Sequence, residues 1–303
     1  MTSVPAPVVA HPPYHELAPG VITLALLHEG HRINVYDAWS EQRGCRVVAK
    51  ALRPDHLEDP KGARQLRAEG RVLRSLNHPH IVRWYETIRE PAPVLILETI
   101  SGFTLSALLD EDERLPILDV LHLGLHLTSA VGYLHSRGWL HLDLKPSNVV
   151  ADAGRAKLID LSIARRPGKG IPGAGTRGYL APEQVLGQQL GPATDVWGIG
   201  GALYESIVGD PAVPHEGGTS TRTGQRPAHL IAVPARLKTR RKVPPTVVQL
   251  IDASLRIDAA QRPTIGQCAT VLAEALGISP IPHIREWVGS GQSTGRMSKS
   301  AVL

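Results

Sequence analysis

The chain has 303 residues, 42% hydrophobic and 20% charged, with a net charge of +5. That length holds one large domain or two lobes around a real core, and the composition excludes a disordered chain. The two cysteines, Cys45 and Cys268, are far apart in sequence. They make neither a disulfide framework nor a metal knuckle, and the expected setting is a reducing cytoplasm.

No apolar run approaches the roughly 18 residues a membrane span needs. The start, "MTSVPAPVVAHPPYHE", lacks the basic and apolar regions of a secretory signal. The positive charge permits an acidic partner without requiring one. The densest basic run, "RLKTRRK" at 236–242, reads best as a solvated face, and nucleic acid is not an expected partner. Nothing in the sequence indicates an oligomeric state. Arginine exceeds lysine and alanine is abundant, a compositional hint of a bacterial source.

In chain order, residues 1–14 are Pro-rich and aperiodic, so a flexible lead-in is expected. "VITLALL", "VYDAW" and "CRVVAKAL" read as strands between Val21 and about Leu52. Residues 62–76 carry Leu66, Leu73 and Leu76 on one helical stripe. Strands follow near 81–88 and 93–98. A long apolar helix is expected over 118–138, stopped at Gly138, then a hairpin turning at Asp152–Gly154. Residues 194–209 are apolar throughout and read as a buried helix. Residues 210–242 are loop-rich, two helices close the domain, and 289–303 are Gly/Ser-rich. Strands first and helices later predict an α+β fold of two lobes joined near 98–104. The boundaries are a segment over 1–14, a small lobe over 15–100, a large lobe over 101–280 and a tail over 281–303. There is no internal repeat.

Several charges stand where apolar residues belong. Lys50 lies in a Val/Ala/Leu strand with Val48 and Leu52 on its face. Glu69 lies on the stripe of Leu66 and Leu73. Together they predict a buried ion pair. In "HLDLKPSNVV" (141–150), Asp143, Lys145 and Asn148 sit in an apolar stretch, and Asp160 ends the apolar strand "AKLID". Two carboxylates and an amide suit a hard cation such as Mg²⁺ shared with phosphates. Asp195, opening the buried helix, reads as a carboxylate bonding backbone N–H groups. Two patterns mislead. "GAGTRG" at 173–178 matches a dinucleotide fingerprint but lacks the strand before and helix after it. His122 and His126 have metal-like spacing but no third ligand.

These residues, in this order, resemble the protein kinase superfamily, its Ser/Thr branch in particular, over about residues 20–275. The bacterial eukaryotic-like kinases are the nearest description. The resemblance implies a bilobal fold, ATP and Mg²⁺ (or Mn²⁺) as cofactors, and protein substrates with Ser/Thr hydroxyls. It implies that Lys50 in "VVAK" contacts the α- and β-phosphates and that Glu69 orients it. Asp143 would be the base, Lys145 would face the γ-phosphate, and Asn148 and Asp160 would hold the metal. "LETI" would be the hinge, with Leu97 as gatekeeper and the backbone of Glu98 and Ile100 on adenine. Gly30 would lie over the phosphates, and Val35, Ala49 and Val150 around the base. Thr176 and "APE" would close the activation segment, with Glu183 pairing with Arg262 and Asp195 as a structural anchor.

The pattern is broken in three places. The glycine-rich loop aligns on "HEGHRINV" (28–35), where only Gly30 survives and His28 and Ile33 replace the other glycines. That predicts weaker phosphate binding, with His28 and Arg32 as compensating charge. "DLS" replaces D-F-G, so Leu161 would fill the apolar position and Ser162 would stiffen the backbone. Gly70 beside Glu69 suggests a mobile helix. Leu142 replaces the Arg that clamps an activation-loop phosphate in the family, and residues 163–175 contain no Ser, Thr or Tyr. A kinase not switched by activation-loop phosphorylation is the expectation. The alternatives are a pseudokinase scaffold that binds nucleotide weakly and a small-molecule phosphotransferase of the same fold.

Overall fold

The structure, a computed structural model, describes residues 9–213, 234–239 and 241–278. Most of the loop-rich 210–242 stretch and the tail over 281–303 lie outside the described residues.

The first half of the chain builds one antiparallel sheet from β1 (Glu16–Ala18), β2 (Val21–His28), β3 (Ile33–Ser40), β4 (Cys45–Leu52), β5 (Trp84–Ile88) and β6 (Val94–Glu98). Its order is β1-β2-β3-β4-β6-β5. Alternation along β4 sorts its side chains between two faces. Val47, Ala49 and Ala51 join Tyr36, Ala38 and Ile96 in an outer core. Leu52 points the other way, into the main core with Leu66, Leu73, Leu95 and Leu97, and Val48 packs against that core.

Helix α1 (Pro60–Arg74) starts on Asp59, whose carboxylate accepts the Lys61 N–H, with Pro60 at the first position. A Cβ at Gly70 would lie 2.4 Å from Thr87 Oγ1 on β5. Gly70 therefore marks a close approach of helix to sheet rather than the loose helix its low propensity suggested. Residues 80–82 tie the lobes together. The Val82 N–H donates to Leu158 O at 2.8 Å and the Leu158 N–H to His80 O at 3.0 Å.

The large lobe holds β7 (Phe103–Thr104), α2 (Leu105–Asp112), α3 (Ile117–Ser136), β8 (Val149–Asp152), β9 (Arg155–Leu158), β10 (Gly168–Lys169), α4 (Pro182–Leu186), β11 (Gln189–Leu190), α5 (Pro192–Val208), α6 (Pro245–Ser254) and α7 (Ile265–Ala275). The β8–β9 hairpin turns through Ala153 and Gly154, at φ 47° and 77°. This is the left-handed pair of a tight hairpin. Gly138 follows α3 at φ 74°, the left-handed stop its position predicted. By length and mean hydropathy α3 could cross a membrane, contrary to the expectation from the sequence. Its packing against α5 and α7, burying Leu123, Leu127, Val131 and Leu134, makes it the core helix of the lobe.

Two further expectations change. The basic run at 236–242 is not simply a solvated face. Arg241 donates to Leu115 O at 2.6 Å and to Ile207 O at 3.3 Å, occupying carbonyls near the C-terminus of α5. The lead-in over 1–14 is not free where it is described. Residues 9–14 hydrogen-bond to the outer face of the sheet, as with the His11 N–H on the Tyr36 hydroxyl at 3.1 Å; residues 1–8 lie outside the described residues.

Candidate active site

Strand pairing and α1 set the first half of the site. Lys50 Nζ lies 2.6 Å from Glu69 Oε1 and 3.1 Å from Asp160 Oδ1. The Lys50 and Glu69 side chains are 9% and 1% exposed, so this is the buried pair the sequence predicted. Burial alone would lower the Lys50 ammonium; the Asp160 and Glu69 carboxylates outweigh it and hold the group above its ordinary range. Burial likewise pushes the Asp160 carboxyl up, but Lys50 and the Ser162 N–H, at 3.0 Å, hold it well below the usual carboxylate range. Leu161 is fully buried and its N–H donates to Glu69 Oε1 at 3.3 Å. The substituted motif thus docks in the core against the helix.

The second half is the loop after α3. Asp143 Oδ1 accepts the Thr176 N–H at 3.0 Å. Its Oδ2 accepts from Asn148 Nδ2 at 3.0 Å and lies 3.2 Å from Lys145 Nζ. Lys145 Nζ also donates to Thr176 Oγ1 at 2.6 Å. Four predicted residues, Asp143, Lys145, Asn148 and Thr176, therefore form one connected group. Asn148 turns its amide nitrogen to Asp143, leaving its oxygen as an acceptor of the hard kind Mg²⁺ takes. Among the described residues no group of three or more His, Cys, Asp or Glu could hold a metal unaided. The donor set of Asn148 and Asp160 instead suits an ion held jointly with substrate phosphates.

Between the lobes is a cleft of about 310 Å³ lined by His28, Gly30, Val35, Lys50, Glu69 and Asp160, among others. Val35 pairs directly with Lys50 across β3 and β4, so both face it. Leu97 pairs with Val48 behind the hinge strand. Glu98 ends that strand; its carboxylate accepts from Lys157 Nζ at 2.6 Å and from the Arg83 N–H at 2.8 Å. Ile100 packs against the main core. Val150 is buried on β8 opposite Thr104 of β7, beside the hinge.

Two assigned positions are corrected. Ala49 cannot face the cleft. It neighbours Lys50 in the strand, points to the opposite face and is fully buried with Tyr36 and Ile96. Val48, on the Lys50 face, is the apolar residue alternation brings to the cleft side. Asp195 does bond backbone N–H groups, but not those of its own helix. It accepts from the His141 and Leu142 N–H groups at 2.9 and 2.8 Å, and its Oδ2 lies 2.8 Å from His135 Nε2. Burial would raise this carboxyl; the His135 bond leads the contacts that hold it low.

The Asp195 contacts fix an unusual backbone. Leu142 sits at φ 69°, a conformation costing a branched side chain about 1–2 kcal/mol. Its N–H is held by Asp195 and its carbonyl by Gln184 Nε2 at 2.8 Å. Its side chain is buried with Leu140 and Leu190, and Ile163 packs against them. Sequence reasoning missed Gln184, which also bonds Ala174 O at 3.2 Å; an uncharged amide after "APE" gives no signal. Glu183 and Arg262 form a buried bidentate pair at 2.7 and 2.9 Å, and Arg262 also donates to Ala193 O at 2.9 Å.

The misleading motifs resolve simply. "GAGTRG" lies in the segment that presents Thr176 to Asp143. His126 stacks on His80, its Nδ1 accepts the Ala156 N–H at 3.2 Å, and burial lowers its pKa to about 4.

Comparison with known proteins agrees with this geometry. The chain is 33% identical over 199 residues to a probable serine/threonine-protein kinase of Streptomyces coelicolor, covering 61% of this chain and 30% of that protein. It is 32% identical over 177 residues to the serine/threonine-protein kinase PknB of Mycobacterium leprae, covering 54% and 28%. It is 28% identical over 253 residues to PknA of Mycobacterium tuberculosis, covering 78% and 56%. The aligned stretches thus span between about a quarter and just over half of these relatives. A sequence model described as the protein kinase domain matches residues 23–272, which takes in both halves of the site, and the chain belongs to the protein kinase family.

Proposed function

We propose that the chain is a protein serine/threonine kinase that transfers the γ-phosphate of ATP, with Mg²⁺ or Mn²⁺, to Ser/Thr hydroxyls of protein substrates. The observation that carries the reading is the two connected groups: Lys50 between Glu69 and Asp160 on the cleft, and Asp143 among Asn148, Lys145 and Thr176 on the loop after α3. A scaffold has no chemical need for all of them.

Phosphoryl transfer asks for positioning and charge neutralisation more than for covalent help. Lys50, kept cationic by two carboxylates, neutralises the non-transferred phosphates. Asp143 orients the acceptor hydroxyl and takes its proton. Lys145, beside it, meets the charge developing on the transferred group. Asn148 and Asp160 would hold the divalent ion, which would add to the neutralisation of the phosphates. The backbone of Glu98 and Ile100 takes adenine between Val35, Val48 and Val150. Glu183, Arg262 and Asp195 hold the platform on which the peptide lies.

We further propose that this kinase needs no phosphate on its activation segment. Leu142 fills with apolar contacts the place where the family pattern has an arginine clamp, and 163–175 offers no hydroxyl to modify. One observation favours the second reading, a scaffold that binds nucleotide weakly: His28 and Ile33, where the family pattern has glycines, put side chains on the cleft. The deciding experiment is transfer from labelled ATP with Mg²⁺ to a generic basic protein and to the chain itself, with Asp143→Ala as control. Transfer well above the control supports the kinase; nucleotide binding without transfer supports the scaffold.

A further inference from the structure

Asn34 is fully buried in β3, and its amide joins the loop before the strand to the N-terminal segment. Its oxygen accepts the Gly30 N–H at 3.2 Å. Its nitrogen donates to Val9 O at 2.7 Å and to the Tyr36 hydroxyl at 3.1 Å. That hydroxyl accepts the His11 N–H, so residues 9–11 are clasped to the strand that follows the phosphate-facing loop. A second fastening lies at Thr23. Its hydroxyl donates to Pro12 O at 2.6 Å and accepts the His15 N–H at 2.9 Å. The Tyr14 N–H donates to Thr23 O at 2.7 Å.

The clasp reaches the one glycine the loop retains. Asn34 and Tyr36 alternate with Val35, so they lie on the outer face, and from there Asn34 holds the Gly30 N–H. The loop is folded tightly here, since a Cβ on Gly30 would stand 2.1 Å from Ile33 O. With His28 and Ile33 at the other two glycine positions, the loop has less conformational freedom to close on phosphate. The clasp holds the loop on the side of residues 9–11, while Arg53 bonds Gly30 O at 3.2 Å and Arg32 O at 2.9 Å, and Arg32 bonds Asp59 at 2.6 Å.

We infer that residues 9–15 form a strap that positions the phosphate-facing loop through Asn34, making this segment a working part of the nucleotide site. The inference rests on reading the cleft as a nucleotide site. An amide anchored at one end by the strap and at the other by Gly30 couples the two. A loop ordered in advance loses less freedom when nucleotide binds.

The test uses the full chain and two substitutions outside the catalytic groups. Thr23→Val removes the hydroxyl bonds of the distant fastening, keeps its main-chain bonds and leaves Asn34 and the loop intact; Asn34→Ala removes the amide bonds of the clasp. Hydrogen exchange over 28–35 is measured without nucleotide, and affinity for a non-hydrolysable ATP analogue with Mg²⁺ is measured alongside. Thr23→Val is expected to speed exchange in the loop, not only in 9–15, and to weaken the analogue about fivefold, at the low end of coupling between sites. Where transfer is followed, the ATP KM rises and kcat does not change. Asn34→Ala gives at least the same effect, and the double variant no more than Asn34→Ala alone. If Thr23→Val loosens 9–15 but leaves loop exchange and affinity as in the parent, the strap is merely structural and the inference fails. Exchange is read without turnover, so a catalytically silent protein still gives one result or the other, while absent transfer counts against the kinase reading alone.

Discussion

Truncating Leu142 to alanine removes apolar packing that joins the catalytic loop to the start of the activation segment. Leu142 is buried with Leu140 and Leu190, and Ile163 packs against them. Leu190 belongs to β11, which pairs with β10 inside the activation segment. Buried Leu→Ala changes cost about 2–5 kcal/mol. This cluster is small and near the surface, so the low end applies, about 2–3 kcal/mol. The strained φ of 69° persists in alanine and offers no relief. Leu142→Gly loses the same contacts but sheds the strain, so it should be no worse than alanine, unlike a glycine in a helix. At about 2–4 °C per kcal/mol for a domain this large, the melting temperature should fall by roughly 5–10 °C. Hydrogen exchange over 163–172 should rise more than elsewhere, and phosphate transfer should drop with it. A melting temperature within about 2 °C of the parent, with unchanged exchange in that segment, would refute the idea that apolar packing holds the activation segment here.

Lys50→Met leaves Glu69 buried without its cation, at about 3–5 kcal/mol near neutral pH. Burial raises the Glu69 carboxyl, so in this variant its stability contribution is intact at low pH and lost as pH rises; denaturant melts at pH 4 and pH 8 should show the smaller loss at pH 4, and equal losses would contradict a buried pair. Arg262→Lys cannot keep both bonds to Glu183 together with the Ala193 carbonyl; unfolding should cost at least about 2 kcal/mol less than in the parent. His126, lowered from 6.5 to about 4 by burial first, folds best when neutral, so its contribution is present above pH 6.5 and lost as pH falls toward 4. His126→Asn keeps an acceptor for the Ala156 N–H and should make the acid limb of a stability–pH profile shallower over that window; an unchanged limb would show that another group governs it.

How much of this was legible beforehand depends on the range of each contact. Lys50, Glu69, Asp143 and Asn148 announced themselves because a charge or an amide in an apolar stretch demands a partner, and the demand is local. The turn at Ala153–Gly154 and the stop at Gly138 followed from backbone chemistry. Ala49 was misassigned although alternation alone, counting from Lys50, would have chosen Val48. What stayed hidden were contacts between residues distant in sequence. Nothing near Asp195 points to residues 141 and 142, more than fifty positions earlier. Leu142 read as the absence of an arginine, while its packing on Leu190 became visible only in three dimensions. Residues 9–14 looked free because Pro-rich text carries no period, yet their carbonyls and N–H groups find Asn34, Tyr36 and Thr23. Asn34 gave a faint signal, as an asparagine is out of place within a strand.

The central claim is tested most directly on phosphatase-treated protein incubated with ATP, Mg²⁺ and a generic basic protein, with phosphosites mapped by mass spectrometry. Phosphate should appear on Ser and Thr of the substrate, not above background with Asp143→Ala, and its rate should owe nothing to modification of Thr176. Nucleotide binding with no transfer above the Asp143→Ala control would contradict the kinase reading, and a phosphate on Thr176 required for activity would contradict its independence of the activation segment.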